Sequence, residues 1–142
     1  MINKKIAVGA KELLLNFYED TQTKRSLLKE AIENPNCELY TTVLNIAELN
    51  HIILEKEYEK YLINNNLTSK EFNFEKYKKE KGEEFKNIFA KIYSRINSSI
   101  NIEKFFLDEN FEKEYSKERT KINIFGFALK KFSENNNIAI VI

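Results

Sequence analysis

INKKIAVGAKELLLNFYED, the stretch from Ile2 to Asp20, changes within a few residues from a short apolar run to a helical pattern. Ile6-Ala7-Val8 is typical of a short buried strand. From Lys11 to Tyr18, apolar residues recur at the three- and four-residue spacing of an amphipathic helix. A strand that passes directly into a helix is typical of a unit whose next strand lies parallel to the first.

The same change of pattern returns twice. Cys37 to Thr41 is a second strand candidate, and it follows the turn signal Asn34-Pro35-Asn36. Ile138 to Ile142 is a third, after the turn Asn135-Asn136-Asn137. Three short strands separated by helices predict a helix-rich α/β fold, with a small central parallel sheet of three to four strands flanked by helices. Because strands buried on both faces read as continuous apolar runs, we expect the third strand in the middle of the sheet.

Helical periodicity accounts for most of the remaining chain. Side chains that cap helix N-termini precede several of these segments. The predicted helices lie after Thr23 with Leu27 to Ile32 on the apolar face, from Thr41 or Thr42 to about Leu62, over 85–100, after Asp108, and over 122–132.

A charged helical excursion is predicted at about residues 64–84. Between Lys70 and Glu84 there are five Lys and five Glu, so the segment is neutral. It is therefore typical of a solvated face and not of a basic arm that binds RNA. Residues 1–142 are expected to form one domain around it.

Composition excludes several classes of protein. The 142 residues are 42% hydrophobic, which is enough for a core, and the net charge of +1 gives no field for non-specific nucleic-acid binding. A lone cysteine, Cys37, excludes an internal disulfide and a cysteine-rich metal site. No apolar run approaches the roughly 20 residues of a membrane helix or forms a signal peptide, so we expect a cytoplasmic protein without membrane contact.

The carboxyl ends of the predicted strands indicate where a site would lie. Ligands of open parallel sheets bind beyond these ends, which are Gly9-Ala10-Lys11, Thr41-Thr42 and Ile142. Glu48 lies about two turns into the helix after the second strand. Asn123 begins the helix that leads into the last strand. We expect these residues to meet at one edge of the sheet.

In this arrangement the chain resembles the PIN-domain nucleases, including the VapC-type toxins. That family has a strand followed by Asp-x-Asn and a helix, then a strand with Ser or Thr and a Glu further on. An Asp that opens a helix and a strand ending in Thr-x-Asp follow. The matching stretches are IAVGAKELLLNFYED (Ile6–Asp20), ELYTTVLNIAELNHII (Glu38–Ile53) and NIFGFALKKFSENNNIAIVI (Asn123–Ile142). The resemblance covers nearly the whole chain as order and spacing, and it implies a PIN-like fold.

The chain departs from this family pattern at the acidic positions. The first Asp of the family falls on Gly9 and the following Asn on Lys11. The Glu is kept as Glu48, whereas the third-motif Asp falls on Asn123. The last Asp has no counterpart, because the sequence ends at Ile142. Of four expected acids, one remains.

The resemblance implies RNA cleavage by Mg²⁺ or Mn²⁺ held among carboxylates, where the ion activates water and neutralises charge on the phosphate. One full charge about 4 Å away is worth roughly 4 kcal/mol at an effective dielectric near 20, so the loss of three carboxylates removes most of the attraction. A lysine can replace a cation electrostatically, but it cannot generate metal hydroxide. We therefore expect Mg or Mn to be weakly held at most. The implied site residues are Glu48 and Asn123 as catalytic positions, Glu48 as metal ligand, and Gly9, Lys11, Thr41, Thr42 and Ile142 as degenerate positions.

Each of these residues also has an ordinary interpretation. Glu48 can be a partly buried acid that caps or pairs with a nearby lysine such as Lys11, and Asn123 can be a plain N-cap. Glu48 and His51 have the Glu-x-x-His spacing of bundle di-iron sites, but no second such motif is present, so His51 is expected to be an ordinary helix residue. Cys37 is expected to be a small core residue.

The sequence thus predicts a PIN-like protein related to the metal-dependent endoribonucleases of toxin–antitoxin systems. We expect it to be catalytically weak or inactive and to bind RNA, an antitoxin-like protein or a second copy of itself. One alternative is an active Mg/Mn-dependent ribonuclease, with the missing acids supplied by Asp20, Glu12, Glu38, the terminal carboxylate of Ile142 or a second chain. Another is a mostly helical phage or mobile-element module that binds a host factor and has no central parallel sheet. The last alternative is that the chain is a longer parent truncated after Ile142, or an inactivated variant.

Overall fold

The computed structural model describes residues 3–19 and 26–142, which contain four short strands and six helices. No helix among them is both long and apolar enough to cross a membrane. In chain order the elements are β1 (Lys4–Ala7), α1 (Ala10–Phe17), α2 (Leu27–Glu33), β2 (Cys37–Thr42), α3 (Val43–Asn64), α4 (Phe74–Ser99), β3 (Asn101–Glu103), α5 (Glu109–Glu118), α6 (Ile124–Asn135) and β4 (Ile140–Val141).

The four strands form one sheet in the order β3-β2-β1-β4, and every neighbouring pair is parallel. The predicted fold class, a helix-rich α/β protein with a small central parallel sheet, is confirmed. The two apolar runs at the ends of the chain lie side by side, with Ile6 opposite Ile140. The sheet contradicts the architecture that the helical-module alternative requires, which has no central parallel sheet.

The position of the last strand differs from the prediction. β4 has only two residues and lies at an edge of the sheet, where Ile140 and Val141 are 40% and 47% exposed. The expectation of a central strand buried on both faces is therefore wrong. β1, which pairs with both β2 and β4, has a neighbour on each side instead. Within the apolar run from Ile138 to Ile142, Ile138 is the one residue that is buried.

The core lies on both faces of the sheet. Ile6 and Val8 face the main cluster, and Ala7 between them faces a smaller cluster with Leu129 and Phe132 of α6, as the alternation of a strand requires. The main cluster joins β1 and β2 to the helices α1 to α4, and Cys37 packs against it as predicted. Its largest fully buried side chains are Leu13, Leu28, Leu49, Ile53, Ile96 and Val8.

Side-chain caps begin most helices. Thr42, and not Thr41, caps α3, while Asp108 caps α5 as predicted. Thr23, the predicted cap of the second helix, lies outside the described residues. The described helix in that region, α2, begins after Ser26, whose hydroxyl accepts a hydrogen bond from the main-chain N–H of Lys29.

The charged segment predicted at about 64–84 is divided between a link and the first turns of α4. That helix runs without interruption into the apolar pattern predicted over 85–100, so the two form one helix of 26 residues. Aromatic rings join α4 and the link before it to α3. The ring centroids of Tyr58 and Tyr61 lie between 5.1 and 5.6 Å from those of Phe72 in the link and of Phe74 and Tyr77 in α4. Aromatic pairs at this separation pack favourably. These contacts hold the charged turns of α4 against α3.

Candidate functional site

A pocket of about 290 Å³ opens at the carboxyl edge of the sheet. Four of the predicted site residues line it, namely Gly9, Lys11, Glu48 and Asn123. They come from the start of α1, from α3 and from the start of α6. We call this the rim pocket, and the other residues that line it are Ala10, Leu14, Asn45, Ile52, Gly126 and Leu129.

Gly9 lies in the link between β1 and α1, next to Ile142. Its N–H donates a hydrogen bond of 2.8 Å to the main-chain oxygen of Ile142. A Cβ atom at Gly9 would lie 3.4 Å from that oxygen and 3.5 Å from Leu129 Cδ2, which are ordinary contacts, and its backbone is extended at φ −88° and ψ 171°. The position therefore does not require glycine. As the N-cap of α1 it offers the helix no side-chain hydrogen bond.

Three polar side chains at this edge, one of which (Asn45) lines the rim pocket, are fully buried and hydrogen-bonded to each other or to the main chain. The hydroxyl of Thr41 donates to the Val8 oxygen at 2.7 Å. The hydroxyl of Thr42 donates to Asn45 Oδ1 at 2.5 Å and accepts from the Asn45 N–H. Asn45 Nδ2 donates to the Phe125 oxygen at 3.3 Å. These bonds tie β2 to β1 and the start of α3 to the start of α6. Thr41 and Thr42 are therefore placed as framework residues behind the pocket.

Asn45 is the residue of this region that sequence reasoning missed. Its signal is a polar residue three positions after the capping Thr42, in a helix start that is otherwise apolar. A side chain at that position can bond back to the N-cap residue. Its second bond, to the Phe125 oxygen eighty residues away, has no local signal.

The two charged groups of the rim pocket have opposite signs. Removal of water by the surrounding side chains raises the pKa of the half-buried Glu48 above its ordinary value. No salt bridge joins Glu48 to Lys11 or to another cation in residues 3–19 and 26–142. Glu48 and Lys11 therefore do not form the ion pair that was one interpretation of the sequence.

The rim pocket does not fit Mg²⁺ or Mn²⁺. These ions prefer several oxygen ligands with carboxylates among them, but the pocket offers one carboxylate, Glu48, beside the Lys11 ammonium. The amide oxygen of Asn123 already accepts the N–H of Gly126 at 2.8 Å, which makes Asn123 the N-cap of α6. Throughout the described ranges, no group of three or more His, Cys, Asp or Glu side chains is arranged to hold a metal ion.

Two of the other acids proposed for the site, Glu12 and Glu38, do not line the pocket. Asp20 lies outside the described residues. Glu12 lies in the first turn of α1 but does not line the pocket, and Glu38 is at the amino end of β2, opposite the edge where the pocket opens. His51 is exposed on α3, with its Nε2 atom 2.7 Å from Glu55 Oε1.

Comparison of the chain with protein-family models, with curated proteins and with solved structures finds no match. The class that the structure defines is therefore an α/β protein with a four-stranded parallel sheet. The PIN-domain resemblance rests on the order and spacing of its three sequence stretches.

We predict that Asn45→Ala lowers the free energy of unfolding by about 1–3 kcal/mol, because it leaves the Thr42 hydroxyl and the Phe125 oxygen without their buried partner. Urea unfolding followed by circular dichroism measures this loss. Asn50→Ala, on the same helix but outside this set of bonds, is the control. Equal stability of the two variants would show that the Asn45 bonds do not hold α3 to α6.

We also predict a pH-dependent effect of Glu48→Gln. The raised pKa means that the folded state binds a proton more tightly than the unfolded chain, so the free energy of unfolding of the parent falls as pH rises through the Glu48 pKa. The variant lacks this decline. It should exceed the parent in stability near neutral pH by less than about 1 kcal/mol, since solvent screens a half-buried group.

The measurement for Glu48→Gln is urea unfolding at about pH 4 and about pH 7, on either side of the expected titration. Glu59→Gln, an exposed position of the same helix, serves as the control. A gain for Glu48→Gln that is larger at the acidic pH than at neutral pH would contradict the direction of the pKa shift.

Proposed function

We propose that the chain is a PIN-like protein, related in fold to the metal-dependent endoribonucleases of toxin–antitoxin systems, that lacks metal-dependent cleavage and acts by binding another protein. The observation that carries the proposal is the make-up of the rim pocket. It holds one carboxylate, Glu48, and one ammonium, Lys11, among apolar and amide side chains.

Three features support the PIN-like part of the proposal. The sequence stretches quoted above follow the order of that family. β1 and β4 pair in parallel, so both ends of the chain contribute to one edge of the sheet. Gly9, Glu48 and Asn123, which fall on three acidic positions of the family, line one pocket. This support comes from where the three residues lie. Only Glu48 keeps the acid of the family pattern, because Gly9 and Asn123 are uncharged.

The electrostatics of the pocket support the absence of metal chemistry. The described lining offers a divalent ion a single carboxylate, Glu48, and its one other charged residue is a cation, Lys11, so the attraction for the ion is small. Hydrolysis by a bound metal needs the ion to generate hydroxide from water, and neither side chain supplies that function. With Asn123 engaged as a helix cap, its oxygen does not compensate.

The apolar lining favours a protein over RNA as the partner. Leu14, Ile52 and Leu129 contribute aliphatic surface, and no aromatic ring is among the described residues that line the pocket. Single-stranded RNA is held by bases stacked on aromatic rings and by several basic contacts to phosphates. Lys11 is the single basic residue of this lining. An aliphatic pocket bordered by one positive and one negative group suits an apolar side chain of a protein segment.

A nuclease assay tests the absence of cleavage. Labelled single-stranded RNA is incubated with the purified chain and with Glu48→Ala, in Mn²⁺ or in Mg²⁺. We expect both proteins to match the buffer blank, since the pocket lacks the carboxylates that would hold the ion. Metal-dependent cleavage by the parent that Glu48→Ala abolishes would establish the active-ribonuclease alternative and overturn the proposal.

A binding experiment tests the partner class. Peptides selected from a random display library on the parent should carry an apolar anchor residue, and Ile52→Ala should weaken their binding by about tenfold, the effect of losing roughly 1.4 kcal/mol of apolar contact. Ile63→Ala, at an exposed position of the same helix, should leave their affinity unchanged. Circular dichroism confirms that both variants fold.

RNA binding through the rim pocket would contradict the proposed partner class. Tight binding of labelled single-stranded RNA that Lys11→Gln weakens, together with peptides whose affinity does not depend on Ile52, would identify an RNA-binding protein instead.

A further inference from the structure

We propose that the link between β3 and α5 and the first turn of α5 form a second docking surface, which binds a basic amphipathic helix of another protein. We call it the link surface, and it comprises Phe106, Leu107, Asp108, Glu109 and Glu112. The two apolar side chains would contact the apolar face of the bound helix, and the three carboxylates would pair with its lysines or arginines. The cleft beside this surface shares no lining residue with the rim pocket.

Two large apolar side chains are exposed side by side in the link. Phe106 is 80% exposed and Leu107 is 46% exposed, and no other large apolar side chain in the described ranges is as exposed as Phe106. The neighbouring Phe105 packs inward against Phe111, with ring centroids 5.5 Å apart. Single exposed apolar residues are common on protein surfaces, whereas adjacent ones beside a cleft are typical of an interaction site.

Contacts on both sides of Phe106 fix its exposure. Phe105, before it, packs against both smaller core clusters, which contain residues of α5 and α6. Asp108, after it, caps α5 by accepting a hydrogen bond of 2.8 Å from the main-chain N–H of Phe111. A short segment held at both ends cannot turn Phe106 into the core without losing one of these contacts. The ring is therefore presented to a partner.

A cleft of about 260 Å³ opens beside Phe106, between α5 and α6. Its lining includes Phe111 and polar side chains of both helices. The one basic residue of its described lining, Lys131, is paired with Glu114, and with Glu134 at 3.4 Å. The cleft can therefore receive a side chain of a partner, and its cation is already compensated.

The unpaired charges of the link surface are negative. The segment from Asp108 to Glu112 has three carboxylates and no basic residue, although the net charge of the whole chain is +1. Lys104 and Lys113 flank the segment, but no salt bridge within the described part of the chain joins a cation to any of the three carboxylates. Opposite charges at the border of an apolar contact select the partner and its orientation.

The same charges argue against other occupants. RNA and anionic lipid headgroups would be repelled by three neighbouring carboxylates. Two copies of the chain related by a two-fold axis would bring identical surfaces together, so the carboxylates of one copy would face those of the other. A helix whose apolar face is flanked by lysines or arginines complements both the apolar and the acidic parts of the surface, and amphipathic helices bind other proteins in this way.

Fluorescence anisotropy with a designed peptide tests the proposal. The probe is a labelled amphipathic helix of leucine and lysine, about 14 residues long, and its counterpart has glutamate in place of lysine. We expect the full chain to bind the lysine peptide saturably, with an affinity that falls at high salt, and not to bind the glutamate peptide. Phe106→Ser should weaken binding of the lysine peptide by about tenfold.

Matched controls separate the link surface from general attraction. Ile63→Ser removes an apolar side chain that is 75% exposed and should leave the affinity unchanged. Glu109→Gln combined with Glu112→Gln should weaken binding and reduce its salt dependence. Glu59→Gln combined with Glu80→Gln removes the same charge from exposed positions elsewhere and should weaken binding less. Circular dichroism confirms that each variant folds.

Equal affinity of the parent and Phe106→Ser, or equal binding of the two peptides, would overturn the proposal. Binding of labelled single-stranded RNA or of anionic phospholipid vesicles that Phe106→Ser abolishes would overturn it in favour of those occupants. A dimer that Phe106→Ser dissociates in analytical ultracentrifugation would identify a second copy instead. Peptide binding that depends on Ile52 and not on Phe106 would support the proposed function and overturn this inference alone.

Discussion

The parallel pairing of β1 with a strand on each side is the constraint on which the rest of the structure depends. Val8 N–H donates to the Tyr40 oxygen at 2.8 Å, and Ile142 N–H donates to the Ala7 oxygen at 2.9 Å. Gly9 continues the ladder with its bond to the Ile142 oxygen. Because parallel strands end at one edge, the helices that follow β1 and β2 begin there. α6, which runs back before β4, begins at the same edge. The rim pocket is the space between those three helix starts.

The polar side chains that hold the carboxyl edge of the sheet together differ from its two charged side chains, Glu48 and Lys11. Thr41, Thr42 and Asn45 are fully buried and hydrogen-bonded, and buried polar groups with satisfied partners make a site rigid and specific. Glu48 and Lys11 are more accessible and make no ion pair with each other. Thr41, Thr42 and Asn45 therefore hold the edge together, whereas neither an ion pair nor a salt bridge ties Glu48 or Lys11 to the described framework.

Local patterns in the sequence were sufficient for β1, β2, the helix caps Thr42 and Asp108, and the meeting of Gly9, Glu48 and Asn123, because each depends on a few adjacent residues or on the general rule for parallel sheets. They were insufficient for β3, which has three residues and no apolar run, and for the edge position of β4, since strand order depends on partners distant in the chain. The continuity of α4 through Gly82 and its charged turns was also missed. Contacts of Tyr77 with rings of α3 stabilise those turns, and such contacts have no local signal.

The carboxyl edge of the sheet is held together by contacts that do not need a metal ion. A cluster of carboxylates in one pocket repels itself, and each one destabilises the fold unless an ion or a hydrogen-bond donor compensates it. Because Gly9 and Asn123 are uncharged, no second carboxylate side chain of the described pocket lining repels Glu48. The half-buried Glu48 still loses hydration, as its raised pKa shows. The charge of Glu48, which lines the pocket together with Leu14, Ile52 and Leu129, therefore lowers the stability of the folded chain.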